Sequence, residues 1–204
     1  MSSDFRNRIT RLLVGEYLGL LAVLALLVAF FGAQTQYFFT VPTLTAIINQ
    51  IPALTLVAIG MTFVLITGGI DLAVGAVLAF SASVLGVLIV QLDVSIWLAV
   101  PATVLVGACC GLISGAVSVC AGIPSFIVSL GVLQITRGLG YVLTDSASIY
   151  VDQSTGIQFI GGRIAHAGVS PAFLFAFGAV LVSQCVLHRT LFGRYCMAIG
   201  FNET

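Results

Sequence analysis

GMTFVLITGGIDLAVGAVLAF, residues 60–80, sets two uninterrupted apolar runs on either side of a short turn and places one carboxylate, Asp71, just after it. Asp71 is the only charge between Glu16 and Asp93. Continuous runs read as helices, because strands of a membrane barrel would alternate apolar and polar residues. Each run approaches the roughly 20 residues that a helix needs to cross a bilayer core. Thr67-Gly68-Gly69 can end the first helix, since glycine accepts the left-handed conformation that closes a helix C-terminus. Asp71 is then expected to cap the next helix, accepting hydrogen bonds from free amides near Val74, with its charge at the positive helix end. A proton relay, one half of a protease dyad and a family marker are the other readings of this carboxylate.

Working outward, the same pattern covers the chain. It is 60% hydrophobic and 7% charged, against about 25% charged in soluble domains, so it lacks the polar groups to cover a water-facing surface. A mean hydropathy of +1.20 agrees. The fold class is an all-α integral membrane protein. Runs of bilayer length give about six transmembrane helices, at 17–33, 44–66, 72–90, 95–120, 123–143 and 171–188. The first run is long for a signal peptide, and no clear small-residue cleavage site follows it.

Arginines set the orientation. Arg6, Arg8 and Arg11 precede the first span, and Arg189 and Arg194 follow the sixth. Six spans put both termini on one side, and the positive-inside rule makes that side cytoplasmic. The polar segment 144–170 then falls outside. All basic residues are arginine; with no lysine there is no P-loop, so any ATP-driven transport needs a separate ATPase. Zero net charge and no basic stripe argue against a nucleic-acid partner. The five cysteines have no paired zinc spacing and are expected to be small packing residues. No metal, cofactor or catalytic residue is expected.

Polar and small residues inside the spans carry the remaining information. Gly107, Gly111 and Gly115 recur every fourth residue, the spacing that smooths one helix face for close packing. Pro52 and Pro101 each remove a backbone donor within a span, as an ordinary kink or a pathway break both would. Asn49, Gln50 and Gln134 are neutral hydrogen-bonding groups that suit either a hydroxyl-rich solute or interhelical contacts. Arg137 costs about 2.5–3.5 kcal/mol at a helix centre. It either snorkels to the interface, roughly 9 Å along the axis, or faces a polar cavity. A protease is excluded, because no second aspartate lies in a span and neither His166 nor His188 is placed as a base.

The stretches 60–80, AGIPSFIVSLGVLQITRGLGYVLTD at 121–145 and RTLFGRYCMAIGFNE at 189–203 resemble permease subunits of bacterial monosaccharide ATP-binding cassette importers, the ribose, xylose and galactose type. The resemblance implies import of a monosaccharide across the inner membrane. It implies as partners an ATP-binding cassette ATPase subunit, a periplasmic sugar-binding protein, a second permease subunit and membrane lipid. It places an ATPase-docking helix at Gly193, Arg194, Gly200, Asn202 and Glu203, and a substrate pathway is expected among Asp71, Asn49, Gln50, Gln134 and Arg137. Family members carry roughly ten spans of bilayer length, so residues 1–204 are expected to form a single, incomplete permease domain, its N-terminal part. The alternatives are a non-transporting membrane remnant or assembly partner, or a permease for a related solute such as a furanose-like signal molecule or a nucleoside.

Overall fold

A computed structural model describes residues 3–152 and 170–201, with side chains from Leu18 onward. Its elements are α1 (Ser3–Gln34), α2 (Val41–Ile66), α3 (Val74–Gly86, extended by a π-helical turn Val87–Gln91), α4 (Ile96–Ala121), α5 (Ser125–Leu143), α6 (Pro171–Arg189) and α7 (Leu191–Phe201). No strand occurs among the described residues. Among the described residues, five helices are long and apolar enough to cross a membrane: α2, α3 with its π turn, α4, α5 and α6. Their ends fall within three residues of the sequence expectation. The remaining expected span, 17–33, lies within α1, a continuous helix of 32 residues.

The chain divides into two compact units, residues 1–48 and 49–204, with the division inside α2. In the first, Phe31 stacks on Phe38 at 6.3 Å, and the hydroxyls of Thr40 and Thr43 both donate to the Tyr37 carbonyl, at 2.8 and 2.7 Å. These bonds close the turn that starts α2.

In the second unit α3 packs against both α4 and α5, and α4 against α5. Buried positions are few and mostly small, Ala73, Ala99, Val128, Ser129 and Thr136 among them. Large apolar side chains point outward instead, Trp97 at 85%, Val142 at 76% and Leu112 at 71% exposure. An apolar surface this extensive needs lipid as its solvent, since monomers in water rarely expose large contiguous patches. The chain is a multi-pass membrane protein. Pro52 and Pro101 lie inside unbroken 26-residue helices.

Glycine closes both short turns at one end of this unit. Gly68 has φ 77°; its N–H donates to Leu65 O and that of Gly69 to Val64 O, each at 3.0 Å, the paired bonds of a Schellman ending. Gly122, at φ 64°, ends α4, and the amides of Gly122 and Ile123 both bond Ser118 O.

Candidate functional site

The Thr67–Ala73 turn lies across the start of α5. The Ile70 N–H donates to Ser125 Oγ at 3.0 Å, and the Leu72 N–H donates to Ser129 Oγ at 3.1 Å. Ser129 is 1% exposed and its own hydroxyl donates back to the Phe126 carbonyl. Asp71 Oδ1 accepts the Ala73 N–H at 2.8 Å. The carboxylate therefore closes a local turn two residues long. The α3 helix begins at Val74, and Ala73 itself already has helical angles. Hydrogen bonding of this kind is what an aspartate offers ahead of a helix.

A cleft of about 660 Å³ opens beside this turn. Asp71, Gly111, Ser114, Gly115, Ser118 and Ile199 are among its lining residues, so it is bounded by the turn, by α4 and by α7. The glycine stripe of α4 divides here. A β carbon at Gly107 would stand 3.3 Å from Ser81 Oγ on α3, whereas Gly111 and Gly115 have nothing within 4 Å and open into the cleft. A second cleft, about 430 Å³, lies between α3 and α5 and contains Arg137.

Of the expected pathway residues, Asp71 and Arg137 line these two neighbouring clefts. Asn49, Gln50 and Gln134 line neither. Asn49 Oδ1 is buried and has no hydrogen-bond partner among the described residues, and Gln50 and Gln134 are exposed.

The expected docking segment forms α7, which packs against α6 and against the end of α2. Phe192 approaches Phe63 with ring centroids 6.0 Å apart. A β carbon at Gly200 would collide with the Ile66 carbonyl oxygen, and one at Gly193 with that of Leu187. Arg194 is exposed; Asn202 and Glu203 lie outside the described residues. The Thr190 hydroxyl joins α6 to α7, donating to Val186 O at 2.6 Å and accepting the Gly193 N–H at 3.3 Å.

Sequence reasoning missed Ser125, Ser129 and Thr190. Two signals were available. Serines four apart opening a span fall on one helix face, and Thr190 stands three residues before Gly193, the N-cap distance.

Residues 43–204 match the family described as branched-chain amino acid transport system / permease component. The chain belongs to this permease family. It is 32% identical over 201 residues to the ribose import permease protein of Escherichia coli (strain K12), covering 97% of this chain and 62% of the relative. It is 31% identical over 186 residues to the D-allose transport system permease protein of the same strain, covering 91% and 56%. It is 30% identical over 187 residues to the fructose import permease protein of Rhizobium meliloti, covering 89% and 52%. The chain thus spans a little over half the length of these relatives. No solved structure matches it.

Proposed function

We propose that this chain is a transmembrane permease subunit of an ATP-binding cassette importer that moves a monosaccharide across the inner membrane. The observation that carries the reading is the alignment of nearly the whole chain with a ribose import permease. Support comes also from the serine and threonine hydroxyls that line the clefts within the helical unit beside Asp71 and Arg137, which offer hydrogen-bond partners to a hydroxyl-rich solute. ATP hydrolysis belongs to a separate subunit, since the chain has no lysine for a P-loop. That subunit docks on α7 through the segment holding Gly193, Arg194, Gly200, Asn202 and Glu203. A periplasmic sugar-binding protein delivers the solute from the other side, and a second permease subunit completes the pathway. The arginine distribution supports cytoplasmic placement of both chain ends.

The test is uptake of radiolabelled D-ribose, D-allose and D-fructose by cells with and without the gene, together with capture of an ATPase subunit on the tagged chain. Loss of uptake of one sugar on deletion, restored by the gene, is the expected result. Unchanged uptake of all three, with no ATPase captured, would replace the reading with that of a non-transporting assembly partner. Loss of uptake of a furanose-like signal molecule alone would keep the permease and change its solute.

A further inference from the structure

The α3–α5 cleft bears on the two readings of Arg137. Along α5, Leu133, Arg137, Gly140 and Thr144 line the cleft, spaced four, three and four residues apart. At about 100° per residue this spacing is one stripe of the helix. Ile135, Leu139 and Val142 fall on the opposite side, and they are exposed apolar residues at 63, 47 and 76%. Exposed apolar side chains therefore form one face of α5 and the cleft lies on the other. Arg137 stands on the cleft face.

The facing wall, on α3, is made largely of Gly75, Ala76, Ala79 and Ser83. Small residues there leave the space open. The two helices still touch at Gly140, where a β carbon would be 3.8 Å from Ser83 Oγ. The cleft volume, about 430 Å³, is within the range of small-molecule sites, about 300–1,000 Å³.

Hydrogen-bond accounting then gives the chemistry. Ser83 donates its proton to Ala79 O at 3.1 Å, Thr136 to Val132 O at 2.8 Å and Thr144 to Gly140 O at 3.0 Å. With their protons committed to the backbone, these three oxygens offer lone pairs. Arg137 carries five N–H donors and has no hydrogen-bond partner among the described residues. Tyr141, also at the cleft, can do either. A site with one donor fork and several acceptors complements groups that donate and accept at once, which is what sugar hydroxyls do. A carboxylate would meet the fork but find lone pairs elsewhere, and an apolar solute would leave the guanidinium desolvated and unpaired.

We infer that the α3–α5 cleft is a binding subsite for a neutral polyhydroxylated solute, with Arg137 as its hydrogen-bond donor. The inference rests on the permease reading for the identity of the solute, but the cleft's access to water is independent of it.

The test uses native membranes carrying the whole complex, in which the cysteines of this chain have been replaced. Single cysteines are introduced by Ser83→Cys and Thr144→Cys at the cleft, and by Ile135→Cys and Val142→Cys at the lipid face. Each is treated with a membrane-impermeant thiol reagent, with and without D-ribose, D-allose or D-fructose. The cleft positions are expected to label, the lipid-face positions not, and one sugar to protect the cleft positions. In the Ser83→Cys background, Arg137→Leu should raise the protecting sugar concentration about tenfold or more, the loss of a hydrogen bond to a charged donor, and Arg137→Lys should raise it less. Equal labelling of the two faces would overturn the inference, as would labelling that no sugar alters, or protection unchanged by Arg137→Leu in protein present at normal membrane levels. If deletion of the gene leaves uptake intact while the cleft still labels and is protected, the permease reading fails and the subsite stands.

Discussion

At Asp71 the observed hydrogen bond runs to the Ala73 N–H, two residues on, rather than to the amides deeper in the helix. Asparagine presents the same acceptor oxygen in the same place. Asp71→Asn should therefore shift the melting temperature of detergent-solubilised protein little, whereas Asp71→Ala should cost about 1 kcal/mol, as loss of an intramolecular hydrogen bond does. A large loss of stability in Asp71→Asn would show that the charge itself is required. Ser129 is the more sensitive residue. It accepts the Leu72 N–H within a nearly solvent-free contact, so Ser129→Ala would strand a backbone donor at a cost of about 1–3 kcal/mol. Ser125→Ala, at a bond to the exposed Ile70, should cost less in the same thermal measurement.

Among the elements, α7 is the one whose position depends on absent side chains. Gly193 and Gly200 let its backbone lie against the carbonyls of Leu187 and Ile66, and Phe192 anchors it beside Phe63. A methyl group at either glycine meets backbone, which cannot swing aside. Gly200→Ala should displace the helix at an overpacking cost of about 1–3 kcal/mol. Limited trypsin digestion would report this as faster cleavage after Arg194, with the transmembrane helices still intact; an unchanged rate would mean that α7 is held elsewhere. The turn ahead of α3 and the start of α5 would move together in any rearrangement, because two backbone-to-serine bonds join them.

For the whole molecule, five helices of spanning length among the described residues, together with α1, carry the topology. Arginines crowd before the first span and after the last. Reporter fusions at residue 2 and after Thr204 should both report the cytoplasmic side, while an insertion in the segment 153–169 should report the opposite one. Opposite sides for the two termini would mean that Leu18–Gln34 does not span, leaving five crossings. The helix limits were legible in the sequence because they follow from removing backbone from water, which depends only on the length of an apolar run. The turn after α2 was legible because Gly68 adopts an angle that side chains resist.

What the sequence by itself determined was the membrane environment, the spans, the glycine turn after α2 and the resemblance that their motifs carry. Which face of each span meets another helix was decided only by the tertiary structure. Lipid is as apolar as a leucine on the next helix, so hydrophobic pattern gives no preference between them. For this reason the sequence left Arg137 and the neutral residues Asn49, Gln50 and Gln134 all as pathway candidates, yet only Arg137 shares a cleft with α3. The same reason left the α4 glycine stripe ambiguous. Its spacing defined a smooth face, and packing then assigned Gly107 to helix contact and Gly111 and Gly115 to the wall of a cleft.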